Sequence, residues 1–234
     1  MYLSVIIPAY NEERRLPMYL ETVLTYLRSK PFQSEVIVVN DGSTDDTSGV
    51  VKFFQSSFAN LRLIELPSNR GKGYAVRTGM LAGSGKYRLF TDADGATPIE
   101  ELERLFDAII GGSDGAIGSR ALASEECIVK GSIHRKIIGE CFNFIIRSLC
   151  VNRVRDTQCG FKLFTEKVVI HVFPKLTVDR FGFDVEILYL SRRDGFNVTE
   201  VPVNWHNVKG GKVNVFTDSF RMLGDVLKVR LKHY

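Results

Sequence analysis

LSVIIPAYNEERRLPMYLETVLTYLRSKPFQSEVIVVNDGS, residues 3–43, decides the fold class. Leu3-Ser-Val-Ile-Ile7 is a short β-branched run, the segment from about Pro17 to Ser29 has a helical pattern, and Glu35-Val-Ile-Val-Val39 is a second β-branched run. Strand, helix and strand at this spacing form a βαβ unit. The alternation continues with a helix from Thr47 to Phe58, a strand from Arg62 to Leu66, a helix from Lys72 to Gly83 and a strand from Tyr87 to Thr91. The expected architecture is α/β: a mostly parallel sheet with helices on both faces.

The second half is less regular. Glu100 to Ile110 reads as a helix, Gly115 to Gly118 as a strand, and Ile137 to Cys150 as an amphipathic helix with Ile137, Cys141, Ile145 and Leu149 on one side. Strands at Gly160 to Phe164 and Val198 to Val203 flank a helix from about Phe183 to Arg193, and a last helix near Asp218 to Lys232 ends in Lys228, Arg230 and Lys232. No repeat, low-complexity tract or linker divides the 234 residues, so one domain is expected.

With 44% apolar and 25% charged residues the composition is globular, which excludes disorder, collagen and a disulfide miniprotein. A net charge of +4 suits an anionic substrate or surface and is too small to argue for nucleic acid. Cys127, Cys141, Cys150 and Cys159 lie 9 to 14 residues apart, without zinc or CxxC spacing, and read as reduced thiols. The chain opens on an apolar run with no basic region or cleavage site, so no signal peptide and a cytoplasmic location are expected. The longest apolar stretch, Ile137 to Val151, is interrupted by Glu140 and Arg147. It falls short of the roughly 20 residues a membrane span needs.

Ligands of open α/β sheets bind at the carboxyl ends of the strands. There stand Pro8-Ala-Tyr-Asn-Glu12, Asn40-Asp-Gly-Ser-Thr-Asp45, Asn69-Arg-Gly-Lys-Gly73 and Asp92-Ala-Asp-Gly95. Asp41 is either part of a turn into a helix cap or an acceptor for a base or ribose. Around Lys72, two glycines either make a basic surface turn or let backbone approach a phosphate that Lys72 and Arg70 neutralise. No GxxxxGK[ST] loop is present and no GxGxxG follows the first strand, so kinase, GTPase and dinucleotide readings lose their support.

Asp92 and Asp94 say more. Two carboxylates two apart at a strand end repel each other unless a cation lies between them. Mg²⁺ or Mn²⁺ shared with substrate phosphates removes that repulsion. The plain alternative is a turn into a helix capped by Thr97 with Pro98 at its first position; the apolar strand just before the pair favours the metal. Asp156-Thr-Gln-Cys-Gly-Phe-Lys162 reads as a salt-bridged loop or as a lid on an acceptor side. Asp184, in Phe183-Asp-Val-Glu186, is either an ordinary first-turn acid or a base. His134, His171, His206 and His233 form no HExxH or close pair.

In this order the clusters resemble the family 2 GT-A (Rossmann-like) glycosyltransferases. The resemblance is most specific at Asp92-Ala-Asp-Gly-Ala-Thr97, Arg155-Asp-Thr-Gln-Cys-Gly-Phe-Lys-Leu-Phe164 and Phe183-Asp-Val-Glu186, which look like the dolichyl-phosphate β-glucosyltransferase group. Asn69 to Gly73, Gly118-Ser-Arg120 and Val203-Asn-Trp205 add to it, so it runs from Ser4 to about Lys232. It implies transfer of glucose from UDP-glucose to a dolichyl or polyprenyl phosphate with inversion, with residues 1–115 binding the nucleotide sugar and 116–234 the acceptor.

Carried over residue by residue, Pro8, Tyr10, Glu12 and Asp41 hold the nucleotide, with Lys72 beside the phosphates. Asp92 faces the ribose and diphosphate, Asp94 holds Mg²⁺ or Mn²⁺ with Asp92 beside it, and Asp94 and Asp184 are the residues implied to carry catalysis. The related dolichyl-phosphate mannose synthases have a metal-binding glutamine two places after the second aspartate; Ala96 stands there in this chain. Arg120, Arg135 and Lys162 match basic residues that meet the lipid phosphate, and Arg155 adds to this supply of cations.

The acceptor decides what Asp184 does. A sugar hydroxyl needs a base within reach as it attacks, whereas a phosphate monoester, with a second pKa near ~6, is already mostly dianionic at neutral pH. The same fold acting with GDP-mannose or another nucleotide sugar, transfer to a saccharide or protein hydroxyl with Asp184 as base, and a silent sugar-nucleotide-binding scaffold are the rival readings. Peripheral contact with a membrane through 137–151 and the basic-ended C-terminal helix is a further expectation, with packing of the same faces into the core as its alternative.

Overall fold

β1 (Leu3–Ala9) is buried along nearly its whole length because it runs through the middle of the molecule. The computed structural model describes residues 1–122, 129–130, 154–208, 224–225 and 229–230. After β1 come α1 (Leu16–Arg28), β2 (Ser34–Asn40), α2 (Thr47–Gln55), β3 (Leu61–Glu65), α3 (Lys72–Ala82) and β4 (Tyr87–Thr91). A 3₁₀ turn at Ile99–Glu101 leads into α4 (Leu102–Ile110), followed by β5 (Gly115–Ser119) and the short β6 (Val129–Lys130). β7 (Phe161–Thr165), α5 (Glu166–Val172), a 3₁₀ turn at Phe173–Lys175, α6 (Phe183–Arg193), β8 (Val198–Pro202) and β9 (Trp205–His206) complete the described elements.

Seven strands form one sheet in the order β3-β2-β1-β4-β7-β5-β8, and β6 pairs with β9 separately. β1 lies parallel to β2, from Leu3 opposite Ser34 to Ala9 opposite Asn40, and parallel to β4. β7 alone runs antiparallel to its neighbours β4 and β5, while β5 and β8 are again parallel. The sheet is therefore mixed and mostly parallel.

Alternation along β1 divides the core. Leu3, Val5 and Ile7 join one cluster with the buried side of α1 and Leu102, Leu105 and Phe106 of α4. Ile6 points the other way, into Ala75, Val76 and Met80 of α3 and the apolar sides of α5 and α6. Helices thus cover both faces, as the strand composition requires. Since β2 and β4 flank β1 on opposite sides, the chain reverses its winding at β1, and the crevice beyond the carboxyl ends of β1 and β4 is the topological switch point.

Local differences from the sequence expectations have physical causes. α2 stops at Gln55 rather than Phe58, because the hydroxyls of Ser56 and Ser57 donate to the carbonyls of Phe53 and Phe54, each at 2.9 Å. Pro98 caps a 3₁₀ turn instead of occupying the first position of a helix. The expected helix at 137–150 lies outside the described residues, as does most of 218–232, of which 224–225 and 229–230 are helical. Among the described residues no helix is long and apolar enough to cross a membrane.

Candidate active site

The loop after β1 and the loop after β2 hold each other. The backbone N–H groups of Asn11 and Glu12 donate to Ser43 Oγ and Thr47 Oγ1, each at 2.8 Å, and Thr44 N–H donates to Asn11 Oδ1 at 2.7 Å. Asn11 adopts a positive φ of 52° to make the turn. Asp41, only 3% exposed, accepts the N–H of Arg70 on Oδ1 and that of Gly71 on Oδ2, both at 2.8 Å. It anchors the third loop, and its remaining lone pairs stay available to a donor group in the crevice. Burial raises the Asp41 pKa although those two N–H groups and Arg180 pull the other way.

Gly71 and Gly73 make room for backbone of the chain itself. At Gly71, where φ is +111°, an added Cβ would lie 2.5 Å from the Asp179 carbonyl oxygen, and at Gly73 it would lie 2.5 Å from that of Val178. The glycines let α3 begin directly under the 178–180 segment. Lys72 is thereby directed at β4, where its Nζ pairs with Asp92 Oδ1 at 2.6 Å.

Asp92 and Asp94 stand at the end of β4 with different supports. Asp92 N–H donates to the Gly160 carbonyl at 3.1 Å, and a Cβ at Gly160 would overlap the Asp92 carboxylate. Asp94 Oδ1 accepts the Ala96 N–H at 3.1 Å. Burial first and the neighbouring Asp92 second raise the Asp94 pKa. Lys72 shows the converse: burial disfavours its charge, yet Asp92 and Asp184 raise its pKa. No cluster of three or more His, Cys, Asp or Glu suited to a metal occurs among the described residues. Two hard carboxylates that repel each other at a crevice fit a Mg²⁺ or Mn²⁺ ion whose remaining ligands are phosphate oxygens and water.

The acceptor-side residues lie deeper or farther along. Asp184 is 2% exposed at the start of α6 and is ion-paired with Lys162 of β7, which is fully buried. The Lys162 ammonium also donates to the Cys159 carbonyl at 2.6 Å and lies 5.2 Å from the centre of the Phe90 ring. Burial raises the Asp184 pKa against the pull of Lys162 and Lys72. Arg120 grips Asp156 through Nε at 2.7 Å, Nη2 at 2.8 Å and its own N–H at 3.0 Å, with its guanidinium 5.5 Å from the centre of the Trp205 ring. Burial would raise the Asp156 pKa, but Arg120 holds it below the ordinary carboxylate value. Arg155 is exposed and fixed through its N–H to Glu200 Oε2 at 2.8 Å. Arg135 lies outside the described residues. Cys159 is a buried free thiol whose pKa is pushed up to about 12, by burial first and Asp156 second.

A cavity of 370 Å³ opens at the switch point. Pro8, Tyr10, Glu12, Asp41, Lys72, Asp92 and Asp94 all line it. The sequence profile of glycosyl transferase family 2 matches residues 4–173, which supply all of the cavity lining except Arg180 and Phe181. The chain belongs to glycosyl transferase family 2. Dolichyl-phosphate beta-glucosyltransferase of Dictyostelium discoideum is 40% identical to it over 245 residues, covering 100% of this chain and 75% of that protein. The protein of the same name from Homo sapiens is 39% identical over 244 residues, with 99% and 75% covered. Glucosyl-3-phosphoglycerate synthase from Mycobacterium tuberculosis, solved with Mn²⁺, uridine-diphosphate and phosphoglyceric acid, superposes with a TM-score of 0.71 at 16% identity, covering 99% of this chain and 78% of that one. Its complex with Mg²⁺ and uridine-diphosphate gives 0.72 at 15% identity, covering 98% and 79%. At such identity the likeness establishes a shared GT-A-like fold.

The glycosyltransferase cavity also contains residues that the sequence pattern did not single out: Arg15, Arg180 and Phe181. Arg15 sits three residues after Glu12, a spacing that brings side chains together at a helix entrance. Arg180 and Phe181 directly precede the Phe183 motif, but only their packing over α3 carries them to the crevice, so no local signal marks them.

Proposed function

We propose that this family 2 glycosyltransferase moves glucose from UDP-glucose to a dolichyl or polyprenyl phosphate, with inversion at the anomeric carbon. Its relatives at 37–41% identity carry the name dolichyl-phosphate beta-glucosyltransferase. The observation that favours a phosphate over a hydroxyl acceptor is the state of Asp184. A base for a sugar hydroxyl must reach the proton it removes; the Asp184 carboxylate is buried and engaged by an equally buried ammonium. A phosphate dianion brings its own nucleophilic lone pair and loses no proton on attack.

In this reading Pro8, Tyr10, Glu12 and Asp41 bind and orient the nucleotide, and Lys72 leaves Asp92 for a phosphoryl oxygen of the donor. Asp92 and Asp94 would hold Mg²⁺ or Mn²⁺. Such an ion, when bound, supplies charge stabilisation to the leaving diphosphate. An acceptor phosphate oxygen bonds to the anomeric carbon from the face opposite the diphosphate; the carbon–oxygen bond to UDP breaks, and UDP departs with the electron pair. Arg120, with Nε and Nη2 turned to Asp156, offers Nη1 to the acceptor phosphate, and the motif resemblance assigns Arg135 and Arg155 to the same phosphate as further cations. Lys162 acts from beneath, by fixing Asp184, rather than by touching the acceptor. A lipid-borne acceptor brings the enzyme to a membrane surface as a peripheral protein.

The test is a transfer assay with radiolabelled UDP-glucose, GDP-mannose and UDP-N-acetylglucosamine against a short polyprenyl phosphate, with and without EDTA. Label entering the lipid phase from UDP-glucose alone, and only with metal, is the expected result. Labelling from a different donor keeps the reaction and changes the sugar; labelling of a free saccharide but not of lipid phosphate overturns the acceptor assignment. Flotation with acidic liposomes tests the membrane contact, which failure to float would contradict.

A further inference from the structure

Arg15 stands at the entrance to α1 and has no part in the reaction outlined above. Its guanidinium is a planar fork of three nitrogens. Nε donates to Glu12 Oε2 at 2.7 Å and Nη2 donates to Glu12 Oε1, so Glu12 fixes the plane of the group. The third nitrogen, Nη1, is buried and has no hydrogen-bond partner among the described residues. Asp94 Oδ2 lies 3.8 Å away, beyond hydrogen-bond distance. Ala96 N–H holds the other oxygen of that carboxylate.

A buried N–H without an acceptor is costly, and such a group calls for a partner that the protein chain does not supply, a water, an ion or a ligand. The two cations beside the aspartate pair differ in this respect. Lys72 is closed onto Asp92 at 2.6 Å, whereas Arg15 is held in place by Glu12 with one donor open. Its other electrostatic neighbours are Asp94 and Asp92, while Asp41 is influenced by Arg180 and Arg70. Arg15 therefore belongs to the aspartate end of the cavity, where the phosphates rather than the base of a nucleotide sugar belong. A diphosphate presents only acceptors, and a planar fork matches phosphoryl oxygens better than an ammonium does.

We propose that Arg15 is a ligand of the donor's diphosphate, pre-oriented by Glu12 and offering Nη1 to a phosphoryl oxygen beside Asp94. Besides its place on the nucleotide side of the cavity, Glu12 then serves as a positioning residue for Arg15. The inference rests on the nucleotide-sugar reading above, and the experiment separates the two.

Calorimetric titration of the full chain with UDP and with uridine, each in the presence of Mn²⁺, is carried out on the wild type, R15Q and R15K. Binding of Mn²⁺ alone is followed by electron paramagnetic resonance. The ratio of UDP to uridine affinity is read because loss of fold stability, expected once Glu12 loses its partner, moves both ligands together. R15Q is expected to lower UDP affinity about ten- to hundredfold, the range of one charge-assisted hydrogen bond. R15K should lose less, with uridine affinity unchanged and Mn²⁺ binding not weakened. Equal UDP affinity in wild type and R15Q overturns the assignment and leaves the function standing. Parallel loss of UDP and uridine, or weakened binding of Mn²⁺ alone, makes Arg15 a support for the loop or for Asp94 and also overturns it. If R15Q does not fold, R15K carries the same comparison. A wild-type chain that binds neither UDP nor uridine removes the functional reading and this inference together.

Discussion

Asp184 and Lys162 show how a single pairing changes what a residue can do. Each would be costly to bury alone, and removing one partner of such a pair typically destabilises a protein by about 3–5 kcal/mol. Asp184→Asn should therefore lower the melting midpoint markedly, while joint replacement of both residues by apolar ones of similar volume should restore much of the loss. With a phosphate acceptor the folded fraction of Asp184→Asn keeps measurable transfer and exceeds Asp94→Ala in rate; a well-folded Asp184→Asn without turnover would return Asp184 to the role of base. Asp156 obeys the opposite electrostatics. Its pKa lies below the ordinary 3.8 because Arg120 outweighs burial. The proton is thus bound less readily in the folded state, and the resulting stability is full above about pH 4 and fades as pH falls through the depressed value. Asp156→Asn should be less stable at neutral pH and should show a shallower acid-unfolding profile below pH 4, as measured by circular dichroism.

At the scale of elements, both acids in the first turn of α6 work as fasteners. Glu186 is fully buried and accepts the N–H of Thr177 at 2.9 Å, the Thr177 hydroxyl at 2.8 Å and the N–H of Val178 at 2.9 Å. It pins the start of the segment that places Arg180 and Phe181 on the cavity wall. Glu186→Ala leaves those donors unsatisfied, and a loss of about 1–3 kcal/mol is expected for the site. Because the pinned segment lines the cavity proposed for the nucleotide sugar, steady-state kinetics should show a larger rise in KM for the donor than fall in kcat. Gly160 plays the matching part for β4: its missing side chain makes room for the Asp92 carboxylate. Gly160→Ala should impair metal-dependent UDP binding, read by calorimetry, more than it lowers the melting midpoint.

For the whole molecule, ligand binding and folding are linked, since the loops after β1, β2, β3 and β4 meet only when the sheet is assembled. UDP with Mn²⁺ should raise the melting midpoint with concentration, by about 2.7 kcal/mol of stability at a hundredfold excess over Kd. EDTA should remove most of that shift if the aspartate pair and the diphosphate share an ion. The sequence by itself determined the α/β class, the strand-end positions of Asp41, Lys72, Asp92 and Asp94, and, through its motifs, membership of family 2. Those features are local: β-branched runs, helical spacing and polar residues placed directly after strands are visible without knowing what packs on what. Tertiary structure alone decided the antiparallel insertion of β7 between β4 and β5, which carries Lys162 to Asp184 across 22 residues of chain. It likewise decided that Gly71 and Gly73 make room for backbone, that Arg180 and Phe181 wall the crevice, and that Arg15 keeps one nitrogen without a hydrogen-bond partner among the described residues. Each depends on a long-range approach between segments whose own composition is unremarkable, and burial turns that approach into chemistry by fixing which charges are spent on the fold and which remain for the substrate.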